Sequence, residues 1–452
     1  MKWHMRFNLL DIAKIVHGSF IGDSGRIVTG LSIDSRKIEK DEIFVAIKGE
    51  RFNGEDFVEQ AMEKGASGAI VSKEFNRKVK NIIIVKDTVE ALGRLAKYYR
   101  SIFRNLKVIG ITGSTGKTTT KEMIYYVLRN SYKVVRNEKS YNNFIGVPLT
   151  IFSIAPQTEI LISEIGTNHP DEIDKLTDIV RPHIAIVTSI GPSHLEFFGT
   201  VRNVAIEKSD ILKYLPPDGV AILNRDMPYF NEIIEAYPVN YIMTVSTKNK
   251  KSDFYAEINY MDFERNEITI NGKYQLILHP GGMGTVYGAL FSLAVAKILN
   301  VPIEVALRGL NEFHGVNMRK EVVEFDRYRI LNDAYNANPD SMRDFLITLR
   351  PYREDVLLVL GDMFELGEYA EFYHREVGRL VKELGFRKLI TIGEMSHYTS
   401  LEAGDLDINL HLESVDDVVN TIEDMPEDKL FIAIKASRAM QLEKIIEKLR
   451  RQ

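Results

Sequence analysis

The sequence predicts an α/β protein of three domains. Three observations carry this. Short β-branched runs alternate with amphipathic stretches along the whole chain, the pattern of strands covered by helices. The 452 residues suffice for about three cores at roughly 150 residues each. One strand-to-helix junction, residues 112–119, has the composition of a phosphate-binding loop.

In the first block, residues 1–104, the stretch 1–20 carries Asp11, Lys14 and His17 within an apolar pattern and reads as an amphipathic helix. It lacks the uninterrupted apolar block of a signal peptide. Strands are expected at 43–47, 69–71 and 82–85, and helices at 54–64 and 89–103. The polar turn at Arg104 and Asn105 ends the block.

The central block, residues 105–316, opens with a strand at 106–112 and continues with apolar runs at 160–165 and 184–190. Such near-continuous runs suit parallel strands buried on both faces. Residues 254–278 alternate more and contain Asn271-Gly272, so they are expected to form an antiparallel hairpin appended to that sheet. A helix is expected at 289–299. The third block, residues 317–452, has strands at 328–331, 356–360, 388–392 and 430–434, helices between them, and a charged amphipathic helix at 439–450.

Composition narrows the class. Lys and Arg number 58 against 63 Asp and Glu, a net charge of -5, which argues against a dedicated nucleic-acid binder. No apolar stretch approaches the ~20 residues of a membrane span. With no cysteine, disulfides, thiolate metal sites and cysteine nucleophiles are excluded. A cytoplasmic enzyme fits.

The loop reads Thr112-Gly113-Ser114-Thr115-Gly116-Lys117-Thr118-Thr119. Its small residues let backbone N–H groups converge on one anion, and the following helix adds its positive end. Lys117 would reach the terminal phosphates and Thr118 would hold magnesium. The strict pattern has glycine at position 111, occupied here by Ile111, so the loop is a variant. The plainer alternative is a glycine-rich turn with an incidental lysine.

Glu164 ends one apolar run and His194 lies just beyond another. In an open parallel sheet, ligands bind outside the carboxyl ends of the strands, which places both in the crevice with Lys117. Lys208 follows on a helix expected at 201–215. From spacing alone, Glu164, His194 and Lys208 suit a metal site no better than a solvated carboxylate and an exposed lysine. His183 and His374 read as structural or solvated.

Taken together these segments resemble the Mur ligase family, ATP-dependent amide-bond-forming ligases of cell-wall precursor synthesis. Residues 112–118 match the family's T-G-x-x-G-K-[TS]. His194-Leu195-Glu196-Phe197-Phe198-Gly199, followed by Lys208, matches its H-L-[DE]-x-x-G and the lysine beyond. Four further segments are similar to the dipeptide-adding member. They are Asn142-Asn143-Phe144-Ile145-Gly146-Val147-Pro148-Leu149, Glu164-Ile165-Gly166-Thr167-Asn168-His169-Pro170, Asp333-Ala334-Tyr335-Asn336-Ala337-Asn338-Pro339, and Leu360-Gly361-Asp362-Met363-Phe364-Glu365-Leu366-Gly367-Glu368.

The resemblance implies a first domain that binds a UDP-sugar, a central ATPase domain, and a Rossmann-like third domain completing the ATP and dipeptide sites. It implies ATP, two Mg2+ ions (one through a carbamylated Lys208) and two small-molecule substrates, UDP-N-acetylmuramoyl-tripeptide and D-alanyl-D-alanine. It implies a monomer. Catalytic roles fall to Lys117, Lys208, His194 and Glu164; metal ligation to Thr118, Glu164, His194 and Lys208. The nucleotide falls to residues Gly113, Ser114, Thr115, Gly116, Lys117, Thr118 and Thr119 with Arg319, Asp333 and Asn336. Substrate contacts fall to Ser35, Arg36, Lys48, Asn142, Asn143, Asn168, His169, Ser437 and Arg438. For Ser35, Arg36 and Lys48 a simple turn is the alternative, and for Arg319 and Asp333 a surface ion pair. A sister ligase adding one amino acid, a P-loop kinase and a nucleotide switch are the competing functions.

Two segments depart from the family. Its G-x-H-N-x-x-N reads Gly282-Met283-Gly284-Thr285-Val286-Tyr287-Gly288, losing an asparagine that approaches adenine. Its K-G-S-R reads Lys435-Ala436-Ser437-Arg438, a change that is mild where φ stays negative.

Overall fold

The computed structural model describes residues 1–49, 52–138 and 141–451. These build three sheets, each the centre of an α/β domain. The first contains β1 (Lys2–Asn8), β2 (Ser19–Ile21), β3 (Ile27–Ser32), β4 (Glu42–Val45), β5 (Gly68–Ser72) and β6 (Ile82–Val85) in the order β1-β3-β4-β5-β6-β2. Strands β3 to β6 run parallel, and β1 and β2 close the edges antiparallel.

The helix expected over residues 1–20 is corrected here. Residues Lys2–Asn8 form an edge strand, and the helix is only Leu9–Ile15. The Asn8 side chain accepts the Asp11 N–H at 2.7 Å and fixes the helix start there. Trp3 is buried against Tyr99 and Phe152, which holds the preceding residues extended on the sheet. Phe152 belongs to the central domain, and one apolar core runs through both domains.

The central sheet comprises β7 (Lys107–Thr112), β8 (Val134–Arg136), β9 (Ile160–Glu164), β10 (Ile184–Val187), β11 (Val220–Asn224), β12 (Tyr241–Ser246), β13 (Phe254–Met261), β14 (Asn266–Ile270) and β15 (Tyr274–Leu278). Its order is β15-β14-β13-β12-β11-β10-β7-β9-β8, parallel from β8 to β13 and antiparallel beyond. Successive strand residues face opposite cores. Ile109, Ile111, Ile184 and Ile186 pack under the helices Lys117–Leu128 and Met283–Ile298. Val108, Ala185 and Val187 face Val147, Ile173 and Leu176.

The appended region is also corrected: it holds three strands and two hairpins rather than one. Asn271-Gly272 makes the second turn, with positive φ at both residues. The first has no such dipeptide. There Asp262 Oδ1 accepts the N–H groups of Glu264 and Arg265, each at 2.8 Å, so an aspartate turn replaces the glycine signal.

The third sheet holds β16 (Glu321–Phe325), β17 (Tyr328–Asn332), β18 (Leu357–Gly361), β19 (Lys388–Ile392), β20 (Ile408–Leu412) and β21 (Leu430–Lys435), in the order β16-β17-β21-β18-β19-β20. Only β16 is antiparallel to its neighbour. The helix expected at 439–450 is α-helical over Glu443–Leu449, after a 3-10 turn at Arg438–Met440. Leu195, Phe198 and Phe263 of the central domain pack into the third domain's core with Leu346, Met363 and Leu366. Among the described residues no helix is long and apolar enough to cross a membrane.

His183 and His374 are structural. His374 is buried; its Nε2 accepts the Met363 N–H at 3.0 Å, and Nδ1 lies 2.7 Å from the Ala370 carbonyl. His183 Nδ1 accepts the Val108 N–H at 3.1 Å. Burial lowers both pKa values, that of His183 to about 4. Their native forms resist protonation while the unfolded chain titrates near 6.5. The stability they contribute is therefore full above about pH 6.5 and is lost as pH falls toward 4. Thermal melts across that range should show a falling midpoint, with a shallower fall in His183→Gln. An unchanged slope would mean that this imidazole contributes nothing to acid unfolding.

Candidate active site

The phosphate loop leaves β7 and turns into the helix Lys117–Leu128. Gly113 and Gly116 have φ of +146° and +80°. A Cβ on Gly113 would lie 2.0 Å from Thr188 Oγ1, so both backbone angle and space demand glycine. Thr188 follows β10 and donates from Oγ1 to the Thr115 carbonyl at 2.6 Å; Ser189 Oγ accepts the Thr115 N–H at 2.8 Å. Neighbouring parallel strand ends thus brace the loop.

Lys117 lies back over this loop. Its Nζ donates to the Gly113 carbonyl at 2.6 Å, and burial lowers its pKa. Glu164, the last residue of β9, is buried beside it. Thr118 Oγ1 donates to Glu164 Oε2 and Asn142 Nδ2 to Oε1, each at 2.9 Å. Lys121, also buried, places Nζ 3.9 Å from Oε2 and donates to the Asn137 carbonyl at 2.9 Å. Asn137 Oδ1 in turn accepts the Glu164 N–H at 2.6 Å. Nothing in the sequence marks Lys121 or Asn137 as part of the site. Each sits at an ordinary helix or loop position, and only the fold turns it toward Glu164.

Lys208 is 1% exposed. Among the described residues no carboxylate pairs with its ammonium and no acceptor hydrogen-bonds to it. Burial and the nearby Lys117 charge push its pKa well down. His194 follows β10 with φ +54°, and its Nδ1 lies 2.5 Å from Oε2 of Glu365, which comes from the third domain.

The loop opens onto a cleft of about 570 Å3 between the central and third domains. Arg319, Asp333 and Asn336 line the far wall. Arg319 donates to Thr118 Oγ1 at 3.2 Å and stacks 4.3 Å from the Tyr335 ring centroid. Asp333 is held by buried Lys435, whose Nζ reaches Oδ2 at 2.6 Å and the Asn336 carbonyl at 3.1 Å. The other end of the cleft is polar: Tyr287 donates to Asp226 Oδ2 at 2.7 Å, and Thr247 N–H donates to the same oxygen. Where the family asparagine pattern is lost, a Cβ on Gly284 would meet no atom within 4 Å, and one on Gly288 would meet Met123 Sδ at 2.6 Å. Ala436 is absent from the positive-φ residues, so alanine there is unstrained.

The peptide-contact candidates surround this core unevenly. Asn143 Oδ1 accepts the Gly146 N–H at 2.9 Å and shapes the helix start there. The Asn168 and His169 N–H groups both donate to Glu172, and the His169 ring lies 4.3 Å from that of Phe197. Ser437 Oγ accepts the Phe364 N–H at 2.9 Å, while Arg438 pairs with Glu443 at 2.7 Å. Ser35, Arg36 and Lys48 sit apart in the first domain and line no part of the cleft. Ser35 Oγ donates to Gln60 Oε1 at 2.8 Å. Arg36 is exposed and forks onto Asp34, holding that carboxyl at a pKa of about 2. Lys48 bridges to Asn53 through its backbone.

A phosphate loop on a parallel sheet, faced across a cleft by a second α/β domain, defines a multidomain nucleotide-using enzyme. Residues 111–296 match the Mur ligase middle domain, 318–438 the Mur ligase glutamate ligase domain, and 27–100 the Mur ligase family catalytic domain. The chain belongs to the Mur ligase family. It is 33% identical to the UDP-N-acetylmuramoyl-tripeptide--D-alanyl-D-alanine ligase of Bacillus subtilis (strain 168), over 97% of each chain. It superimposes on MurF from Acinetobacter baumannii with a TM-score of 0.91, at 28% identity and full coverage of both chains. It also superimposes on the MurF ligase of Thermotoga maritima in complex with ADP, with a TM-score of 0.83 at 26% identity, covering 93% of this chain and 97% of that one.

Proposed function

We propose that this chain is the ATP-dependent ligase that joins D-alanyl-D-alanine to the terminal carboxylate of UDP-N-acetylmuramoyl-tripeptide, releasing ADP and phosphate, in peptidoglycan precursor synthesis. One observation carries this beyond similarity: the phosphate loop, whose Thr118 hydroxyl bonds the buried Glu164 carboxylate, opens onto a cleft walled on its far side by Arg319 and Asp333 of an opposing domain. A switch needs only the loop.

The chemistry follows from the substrate. A carboxylate is anionic and has a poor leaving group, so an amine does not attack it at neutral pH. Transfer of the γ-phosphoryl group of ATP to the peptide carboxylate gives an acyl phosphate. The dipeptide's free amine then attacks the acyl carbon, a tetrahedral intermediate forms, and phosphate departs. Lys117 and the loop N–H groups draw charge from the phosphates during transfer. Arg319 and Asp333 approach the nucleotide from the third domain, at its phosphates and ribose. Asn142, Asn143, Asn168 and His169 line the peptide channel, and closure over them keeps water from the acyl phosphate.

The residues present fit magnesium. Thr118 Oγ1 and Glu164 are adjacent hard oxygen groups of the kind magnesium takes. When bound, the two ions neutralise charge on the transferring phosphoryl group. Lys208, buried and without a paired carboxylate among the described residues, suits carbamylation. A neutral amine adds carbon dioxide with loss of a proton, and the resulting carbamate would supply an anionic oxygen ligand.

The test is ATP-dependent phosphate release with UDP-N-acetylmuramoyl-tripeptide, with and without D-alanyl-D-alanine. Release requiring both, with a product heavier by one dipeptide, is expected. Release driven by single amino acids would move the assignment to a sister ligase.

A further inference from the structure

The polar end of the cleft, around Asp226 and Tyr287, has no role in the chemistry derived above. Apolar side chains line the cleft beside it: Met227, Pro228, Met261, Pro280 and Met283. A nucleotide whose phosphates lie on residues 113–119 extends its base along this cleft, and apolar walls with a polar edge are what a flat heteroaromatic base needs.

The polar groups there are already ordered among themselves. Asp226 follows β11, and its Oδ1 accepts the Ser246 hydroxyl at 2.5 Å. Its Oδ2 accepts the Thr247 N–H and the Tyr287 hydroxyl, each at 2.7 Å. Asn224, which also lines the cleft, is engaged at both ends of its amide. Its Oδ1 accepts the Asp226 N–H at 2.9 Å, and its Nδ2 donates to the Thr188 carbonyl at 3.2 Å. Tyr287 stands on the helix Met283–Ile298 between Gly284 and Gly288, which offer the cleft no polar side chain. Beside Gly284 the space is open, and a side chain at 288 would have to displace Met123.

A phenol has one proton to donate and an oxygen that accepts. The proton of Tyr287 is committed to Asp226, a carboxylate that Ser246 and Thr247 hold in place. Burial and that carboxylate push the pKa of the phenol up, so the proton stays. Toward a ligand Tyr287 therefore presents lone pairs, of which the Thr247 hydroxyl, 3.1 Å away, can take one. An N–H group on the base is attracted there, and a carbonyl oxygen is repelled.

We propose that Tyr287 is the base-reading residue of the nucleotide site: its oxygen accepts the exocyclic amino group of a 6-aminopurine and turns away a 6-oxopurine. The proposal rests on the reading of residues 113–119 as the phosphate site of an ATP-using ligase. Selection then comes from a hydroxyl whose own proton is already taken.

The test is equilibrium binding of nucleoside diphosphates to the full chain by calorimetry, with no peptide substrate present. ADP is compared with purine riboside diphosphate, which lacks the 6-amino group, and with inosine diphosphate, which has an oxygen there. Wild type should bind ADP about 10-fold more tightly than the purine riboside analogue and about 100-fold more tightly than inosine diphosphate. Tyr287→Phe keeps the ring and removes only the hydroxyl. Its affinity for ADP should fall about 10-fold while that for the purine riboside analogue holds within about 2-fold, so the preference for the amino group disappears. Equal binding of ADP and the purine riboside analogue by wild type overturns the proposal, and so does a preference that survives intact in Tyr287→Phe. The wild-type comparison needs no variant and stands even where Tyr287→Phe is destabilised. Failure of the ligase assignment shows separately, as a wild type that adds no dipeptide whichever nucleotide it selects.

Discussion

Lys117→Ala should lower kcat by at least about 10^3-fold while leaving the fold intact, because the side chain stabilises charge that develops only during phosphoryl transfer. In the structure its Nζ is held by the Gly113 carbonyl at 2.6 Å rather than by a carboxylate. The folded state thus contains a buried cation whose burial already lowers its pKa. Removing it removes a desolvation cost as well as a hydrogen bond, so the melting temperature should hold or rise. Single-turnover phosphate release and thermal melts on the same preparation check both halves. Activity above about a tenth of wild type would show that the loop N–H groups and Arg319 carry the charge without Lys117.

The second large effect is expected at Lys208. If its carbamate is a ligand, activity depends on dissolved carbon dioxide as well as on ATP. Enzyme dialysed into carbon-dioxide-depleted buffer should lose most of its turnover and regain it on adding bicarbonate. A 13C carbamate signal should appear with labelled bicarbonate and be absent from Lys208→Met. That variant should lose about 10^2-fold or more in kcat. In carbon-dioxide-depleted buffer it should also melt higher than wild type, since a methionine fills the site without burying an amine that is 1% exposed. Indifference to bicarbonate, together with an active Lys208→Met, would make this lysine a structural oddity.

How much of this was legible in the sequence depended on distance along the chain. The three-domain α/β architecture was legible because parallel strands buried on both faces read as apolar runs, and β7, β9, β10, β18 and β21 all do. Edge strands were not. β2 is three residues long, and β1 precedes a true helix whose apolar pattern masks it. The phosphate loop was legible because its chemistry is local: glycine angles, a lysine and a helix start lie within a few residues. Glu164 and His194 could be placed because strand ends in such sheets converge.

Partnerships between segments distant in sequence were beyond reach. Lys435 and Asp333 are 102 residues apart, and nothing local marks either as half of a buried pair. Glu365 sits inside a motif that the sequence displays, but its contact with His194 is set by how the third domain docks. The backbone hydrogen bonds of Asn143 and Ser437 likewise show that a motif asparagine or serine can shape its own loop as well as face a ligand.

The aromatic packing at the seam of the first two domains has a practical consequence. Trp3 is the sole tryptophan of the chain, buried against Tyr99 of the first domain and Phe152 of the central one. Intrinsic emission excited in the red edge of the indole band therefore reports on that seam alone. A red shift during denaturation marks the parting of the first domain from the central one. Departure of the third domain leaves the signal flat, so the molecule carries a built-in optical means of telling which of its two joints opens first.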